Sequence, residues 1–189
     1  MSSIVEAVLQ SYFDSNPYDF RVFGLDVETT GLGNSARLVE VAAVGYEFDG
    51  LHLNFLKFST LINPGIPIPE EVTKIHGITD EMVKDAPSTE EALTKLASFL
   101  EGVTSLIAHN ADFDKKMILQ DSARIGQEFK FGDKFKCSLQ LAKRSGLPTS
   151  DNKLGTIAKH FGYTNENAHR AADDALCALF VWGKLVQRT

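Results

Sequence analysis

The first third of the chain alternates short apolar runs with turn signals, a pattern typical of β-strands. Three runs of strand length follow one another at residues 21–27 (RVFGLDV), 37–48 (RLVEVAAVGYEF) and 51–62. Asp49-Gly50, between the second and third runs, is a strong hairpin turn signal. In the third run the apolar alternation slips at Leu56, where we expect a β-bulge. The pattern therefore predicts a meander of three strands.

Helical spacing dominates the rest of the chain. Apolar periodicity and helix-start signals predict helices at residues 3–14, 88–100, 111–125, 137–144, 153–161 and 168–187. Ser88 to Glu91 form a capping box, and Gly162 closes the 153–161 helix. Asn16-Pro17 breaks the chain after the first helix.

Two further segments complete the predicted architecture. The run 103–108 (VTSLIA) predicts a buried strand, and the Pro-rich connection 63–87 predicts one or two short helices. A meander followed by alternating helix and strand indicates an α/β domain with a mixed central β-sheet flanked by α-helices. Because no repeat or interdomain linker interrupts the chain, we expect one domain over 1–189, with 1–19 as an N-terminal helical extension.

Composition bears on the compartment. No apolar run approaches the roughly 20 residues that span a membrane, and no basic residue precedes Arg21, so we expect neither a membrane protein nor a secretory signal. Cys137 and Cys177 do not form a metal-ligand spacing, and we interpret them as free thiols of a reducing compartment. These features predict a cytoplasmic protein.

The formal net charge of −6 limits how the chain can meet nucleic acid. With 19 basic and 25 acidic residues, it is not held on a polyanion by bulk positive charge. An enzyme of this charge that acts on nucleic acid would need divalent cations to bridge its carboxylates to the phosphates.

Two acids close the first predicted strand in GLDVETTGL. Asp26 and Glu28 end an apolar run, where a buried charge is costly unless it is paired or bound to a metal. Residues two apart on a strand point to the same face, so both carboxylates can aim at one cation. The alternative is that the strand simply ends here and both acids are solvated.

Further acids open two predicted helices. Asp112 and Asp114 in LIAHNADFD both suit the first turn of a helix, and simple capping explains Asp112 better than Asp114. In NAHRAADDALCALFVW, helical spacing places Asp174 beside the apolar face and turns Asp173 towards solvent. His169 lies five residues before Asp174 and would not stack with it on one face, so it is expected in the lead-in to the helix.

Taken in order, these motifs resemble a known enzyme family. The matching stretches are FGLDVETTGL, RLVEVAAV, INPGIPIPEEVTKIHGITDEMV, LIAHNADFD and AHRAADDA. Over residues 20–185 the chain resembles the DnaQ-like (DEDDh) 3′–5′ exonucleases, which include the proofreading epsilon subunit of bacterial DNA polymerase III. The resemblance implies a ribonuclease-H-like fold.

The resemblance also assigns roles to five residues. Asp26, Glu28, Asp114 and Asp174 look like the four metal-binding acids, and His169 looks like the catalytic histidine. All-oxygen ligation suits two ions of Mg²⁺ or Mn²⁺ and fits zinc poorly. Two such ions activate the attacking water and stabilise the leaving 3′-oxygen, with Asp26 as the candidate bridging ligand and His169 as the candidate general base.

Other residues are candidates for holding the strand end. They are Thr29, Thr30, Gly31, Leu32, His76 and Phe113. Backbone N–H groups after the first acids can meet the terminal nucleotide, and Leu32 can wedge beside the last base. His76 resembles a position at the family's nucleotide pocket, whereas the core explains Phe113 equally well. Glu40 is better explained as structural or supporting than as a ligand. No site role is expected for His52, His109 and His160.

The expected substrate is the 3′ end of a nucleic acid strand, single-stranded DNA before RNA, in proofreading or repair. An RNA 3′-end exonuclease is the nearer alternative, since recognition of the 2′-OH is not visible in the sequence. A non-catalytic nucleic-acid or partner-binding module is a different class, but a pure binder has little use for clustered carboxylates. Proofreading subunits usually extend beyond the nuclease domain to bind the polymerase, and this sequence ends at Thr189, so a polymerase subunit and a stand-alone enzyme both stay open.

Overall fold

Five strands form one sheet in the computed structural model, which describes residues 3–16 and 18–188. The strands are β1 (Arg21–Thr29), β2 (Leu38–Phe48), β3 (Leu53–Leu61), β4 (Ser105–Ala108) and β5 (Phe135–Cys137). Their order across the sheet is β3-β2-β1-β4-β5. β1, β2 and β3 pair antiparallel, β4 runs parallel to β1, and β5 runs parallel to β4. The predicted meander and mixed sheet are confirmed.

Helices cover both faces of this sheet. They are α1 (Ser3–Ser15), α2 (Glu70–His76), α3 (Asp80–Val83), α4 (Thr89–Phe99), α5 (Ala111–Arg124), α6 (Ser138–Ser145), α7 (Leu154–His160) and α8 (Ala171–Val186). The predicted capping box is present at α4: Ser88 Oγ accepts from the Glu91 N–H at 3.2 Å, and the Glu91 carboxylate accepts from the Ser88 N–H at 2.9 Å. The predicted break at Pro17 lies outside the described residues.

The predicted β-bulge at Leu56 is wrong. β2 and β3 keep one register along their whole pairing, with Leu56 opposite Gly45. Both faces of the sheet are covered here, so Phe55 packs against the core on one face and Leu56 against the core on the other. Two successive apolar residues therefore need no bulge to be buried.

The structure also adds a strand and shortens the last helix. β5 has three half-buried residues, too few to show a periodicity, and its pairing with β4 defines it. α8 begins at Ala171 rather than at residue 168, because His169 adopts the left-handed region (φ 66°) and Arg170 is extended (φ −123°, ψ 122°).

β1 lies between two hydrophobic cores. Alternate residues enter the core formed with α4 and α5, namely Phe23, Leu25 and Val27. Val22 enters the second core, formed with α1, α6, α7 and α8. At Gly24 the last helix approaches so closely that a Cβ would overlap the carbonyl oxygen of Ala175. The same alternation turns Asp26 and Glu28 towards the start of α8.

The predicted N-terminal extension contributes to the second core. Val5, Val8 and Leu9 of α1 are buried there with the apolar face of α8. At Gly183 of α8, an added Cβ would lie 2.6 Å from a methyl group of Val8. α1 and α8 therefore pack without room for a larger side chain at this position.

The two cysteines are free thiols, as expected. Cys177 is buried in the second core, and Cys137 is partly exposed at the end of β5. Among residues 3–16 and 18–188, the helices are too short or too polar for any of them to cross a membrane.

Candidate active site

The site begins at the C-terminal end of β1, where the partly buried Asp26 and Glu28 follow the buried part of the strand. Between them, Val27 is 4% exposed and points into the opposite core. A register shift between Glu28 and Thr29 ends the regular pairing with β2 at this point. The strand therefore presents two carboxylates on one face at its terminus, as the sequence predicts.

Asp114 approaches the same point from α5. It lies in the first turn of the helix, is 3% exposed, and accepts a hydrogen bond from the Val27 N–H through Oδ1 at 3.2 Å. This bond ties the α5 carboxylate to β1 between its two acids. Asp112 is exposed, in agreement with its interpretation as a helix-capping acid.

Asp174 and His169 meet at the start of α8. The His169 N–H donates to Asp174 Oδ2 at 2.9 Å, and the Asn165 side-chain amide donates to Asp174 Oδ1. The imidazole of His169 is exposed and precedes the helix, as expected. One ligand atom from each of Glu28, His169 and Asp174 lies within 4.8 Å of the other two.

The neighbouring Asp173 is directed elsewhere. Its Oδ1 accepts a 3.4 Å hydrogen bond from the Asn167 amide. The residue is half-buried rather than fully solvated, because the loop that precedes α8 lies beside it, and both line an open cleft of about 330 Å³.

Burial and mutual repulsion dominate the electrostatics of the site. Burial raises the pKa of Asp26 well above its ordinary value, and the charges of Asp114, Asp174 and Glu28 raise it further. Burial raises the pKa of Glu28 to about 8, with further contributions from Asp174 and Glu40. Burial likewise raises the pKa of Asp114 to about 7 and raises that of Asp174. The four acids therefore resist being ionised together.

A divalent cation would relieve this repulsion. Carboxylate oxygens are the donors that Mg²⁺ and Mn²⁺ prefer. Glu28, His169 and Asp174 bring ligand atoms within 4.8 Å of one another. Asp26 and Asp114 lie outside this set of ligand atoms but beside it, and the charges of Asp114, Asp174 and Glu28 all act on Asp26. Mg²⁺ keeps several bound waters, so four carboxylates leave room for substrate oxygens. The donor set fits a hard divalent metal site.

The expected strand-end residues lie around β1 and α2. Thr29 and Thr30 are each 7% exposed. The Thr30 N–H donates a hydrogen bond to the Arg37 carbonyl at 2.9 Å. Thr29 Oγ1 donates to the Gly31 carbonyl at 2.6 Å. Leu32 is 78% exposed and free to meet a ligand.

Two aromatic candidates differ in their surroundings. His76 is 5% exposed, and its Nδ1 accepts from the Ile78 N–H at 3.0 Å, so Nε2 carries the proton of the neutral ring. Burial lowers the pKa of His76, whereas the backbone of Thr29 and the charge of Glu40 raise it. Phe113 packs against the first core.

Sequence reasoning missed the contacts that surround His169. Arg170, the next residue, pairs through its guanidinium with the buried Glu40 of β2. His109 lines a cavity of about 530 Å³ with His169 and Asp174. Both of its ring nitrogens are engaged within the protein, by Ser138 Oγ and the Asn152 carbonyl, so His109 is structural.

Comparison with known proteins defines the class. A sheet of ribonuclease-H-like topology with an acidic cluster at one end of its first strand is the framework of metal-dependent hydrolases of phosphodiesters. The family model described as exonuclease matches residues 23–181. The chain belongs to the DnaQ-like (DEDDh) family of 3′–5′ exonucleases.

Three relatives show the range of proteins that carry this domain. An uncharacterised exonuclease of Escherichia phage 186 is 36% identical over 174 residues, 85% of each chain. The DNA polymerase III epsilon subunit of Treponema pallidum is 36% identical over 154 residues, 79% of this chain and 69% of that one. A PolC-type DNA polymerase III of Caldanaerobacter subterraneus is 34% identical over 171 residues, 90% of this chain but 12% of the polymerase. The chain thus spans about an eighth of that relative.

Solved structures confirm the fold. The nuclease domain of 3′hExo, a DEDDh family member bound to rAMP, has a TM-score of 0.76 at 18% identity and covers 90% of this chain and 93% of that one. Exonuclease X in complex with 5′-overhanging duplex DNA has a TM-score of 0.68 at 24% identity, with coverage of 88% and 91%.

The raised pKa values predict that the metal-free protein loses stability as the pH rises. A carboxyl group whose pKa is raised by folding contributes stability below its unfolded pKa and loses that contribution as the pH rises through its folded pKa. For Glu28 this window runs from about 4.5 to about 8. In EDTA, we expect the unfolding free energy, measured with urea, to fall by roughly 1 kcal/mol or more between about pH 6.5 and pH 8.

Glu28→Gln is the matched control, because it removes one of the titrating groups and should flatten the fall. Saturating Mg²⁺ should remove the fall as well. Burial lowers the pKa of His76 and His109, which add the opposite slope mainly below about pH 6.5, outside the chosen window. An unfolding free energy that rises across this window in EDTA would contradict the repulsion described here.

Proposed function

We propose that the chain removes nucleotides one at a time from the 3′ end of a nucleic acid strand and releases nucleoside 5′-monophosphates. Single-stranded DNA is the favoured substrate. The observation that carries the proposal is the meeting of four mutually repelling carboxylates with an exposed imidazole at one end of the sheet. Clustered acids serve a hydrolase of phosphodiesters, whereas a non-catalytic binding module would gain nothing from them.

Two divalent ions, Mg²⁺ or Mn²⁺, would be held by Asp26, Glu28, Asp114 and Asp174. Asp26 is the candidate for the ligand shared by both ions, because the charges of the other three acids all raise its pKa. When bound, the ions activate a water for attack and stabilise the leaving 3′-oxygen. The protein itself holds the four carboxylates on three separate elements whose positions the two cores fix.

His169 is the candidate general base. Its imidazole is exposed to water, and one ring nitrogen lies within 4.8 Å of ligand oxygens of Glu28 and Asp174, while the backbone N–H of His169 donates to Asp174. Histidine is the side chain that titrates nearest neutral pH, as a proton acceptor in water attack requires. His169 would therefore take the proton of the attacking water at an imidazole nitrogen.

The terminal nucleotide would lie against the turn that follows β1. Leu32 is exposed there and would pack beside the last base, and Gly31 allows the strand to approach the backbone. Thr29, Thr30 and His76 would form the buried wall of this pocket. Phe113 would support the wall from the first core.

DNA is favoured over RNA by the kinds of relatives that the chain has. The relatives from Treponema and Caldanaerobacter are DNA polymerase III components, which supports a role in proofreading or repair, either as a polymerase subunit or as a separate enzyme. The structure of 3′hExo with rAMP keeps an RNA 3′-end exonuclease as the second candidate. We further propose that residues 1–189 act as one domain and that the protein works in the cytoplasm.

A product ladder tests both polarity and sugar preference. Single-stranded DNA and RNA of one sequence, each labelled at the 5′ end, are incubated with Mg²⁺, Mn²⁺ or EDTA. We expect a ladder shortened one nucleotide at a time with either metal, none in EDTA, and faster digestion of DNA. Internal cuts, or equal digestion of a strand blocked at its 3′ end, would contradict the proposal, and faster digestion of RNA would support the second candidate.

The two adjacent acids of α8 provide a matched pair of variants. Asp174→Asn should lower turnover by roughly 100-fold or more, because Asp174 faces Glu28 and His169, whereas Asp173→Asn should stay within about threefold of wild type. Turnover is measured at saturating Mn²⁺, with circular dichroism to establish that both variants fold. Equal losses in the two variants would show that the assignment of Asp174 is wrong.

A further inference from the structure

We infer that Glu40 and Arg170 form a clamp that positions His169 for catalysis. The clamp is the pair of contacts that Glu40 of β2 makes with the side chain of Arg170 and the backbone of Ala171. This inference rests on the proposed role of His169 as general base. It assigns a positioning role to two residues that do not touch the reacting atoms.

His169 has little packing of its own to hold it in place. Its side chain is exposed, and it precedes α8, outside the regular hydrogen bonding of the helix. Among residues 3–16 and 18–188, it is the one non-glycine residue with a positive φ, at 66°. Such a backbone conformation persists where the surrounding contacts over-determine it. The contacts on either side of His169 therefore fix the backbone from which the imidazole projects.

On the C-terminal side of His169, Glu40 holds the next two residues. Arg170 donates from Nε to Glu40 Oε2 at 3.2 Å and from Nη2 to Oε1 at 2.8 Å, and the Ala171 N–H donates to Oε2 at 3.0 Å. Glu40 is 2% exposed. A bidentate pair between guanidinium and carboxylate fixes orientation as well as distance, which a single contact does not do.

The clamp also connects the segment of His169 to β2, the strand that pairs with the acid-bearing strand β1. Glu40 stands directly opposite Glu28 in the β1–β2 register, so the two side chains lie on the same face of the sheet. On its other side, His169 donates its N–H to Asp174 at 2.9 Å. The backbone that carries the imidazole is thus held between a site carboxylate and a carboxylate one strand away. A shift of the Arg170 segment would move the imidazole relative to Glu28 and Asp174.

A double-mutant cycle distinguishes positioning from simple stabilisation of the fold. Arg170→Ala is the primary variant, because 45% of the Arg170 side chain is exposed and the fold can tolerate its loss. Acting through His169, this change should lower kcat by roughly 10–100-fold while KM for a single-stranded oligonucleotide and the Mn²⁺ concentration for half-maximal activity change less than about threefold. In a His169→Ala background, the same change should lower kcat by less than about twofold.

Two further variants sharpen the test. Arg170→Lys keeps the charge but cannot form the bidentate pair, so it should recover part of the lost kcat. Glu40→Gln removes the carboxylate charge and should reproduce the kcat losses of Arg170→Ala in both backgrounds; only kcat is compared, because the Glu40 charge also raises the pKa of Glu28. Arg144→Ala, which changes an exposed arginine on α6, is the matched control and should leave kcat unchanged. Thermal unfolding establishes that each variant is folded at the assay temperature.

The outcomes separate this inference from the proposed function. Equal fractional losses from Arg170→Ala in the wild-type and His169→Ala backgrounds would overturn the positioning role alone. Wild-type turnover in His169→Ala would overturn the general-base assignment together with the inference. A higher Mn²⁺ concentration for half-maximal activity in Arg170→Ala, with unchanged kcat, would also overturn the inference. The clamp would then act on the acids rather than on His169.

Discussion

Carboxylates that meet at one end of a sheet repel one another, and burial adds to the cost of ionising each of them. Asp26, Glu28, Asp114 and Asp174 stand in this relation, and each has a raised pKa. A flexible framework would relax by moving the acids apart. Here α8 lies against β1 so closely at Gly24 that no Cβ fits, and this contact keeps these two of the three acid-bearing elements together.

The same repulsion explains how an acidic chain can serve a polyanionic substrate. Divalent ions that neutralise the cluster also provide the positive charge that phosphate requires, so the net charge of −6 is compatible with nucleic acid hydrolysis. Two of the surrounding contacts hold groups of this site in place. The Val27 N–H holds Asp114 on one side, and the Glu40–Arg170 pair holds the segment of His169 on the other. The proposed metal ligands and the proposed base are thereby supported by contacts to the paired strands β1 and β2, and they are joined to each other by the bond from the His169 N–H to Asp174.

Local sequence patterns predicted much of this arrangement. Strand alternation placed Asp26 and Glu28 on one face, and helical geometry favoured Asp174 over Asp173 as the site acid. Both predictions depend only on residue spacing within one element. The Glu40–Arg170 pair joins residues 130 positions apart, and no local pattern reports such a contact. The bulge expected at Leu56 failed for a related reason. Whether two successive apolar residues need a bulge depends on whether helices cover both faces of the sheet, which is a tertiary property.

If the acidic cluster lowers stability without metal and acts through metal, Asp26→Asn should reveal both effects at once. Asparagine keeps the size of Asp26 and removes its charge. In EDTA at about pH 8, we expect the variant to have a higher unfolding free energy than wild type, because three neighbouring acids lose a repelling partner. Its stabilisation by Mn²⁺ and its nuclease activity should nearly vanish. A variant that is less stable than wild type in EDTA, or that retains Mn²⁺-dependent hydrolysis, would contradict the account.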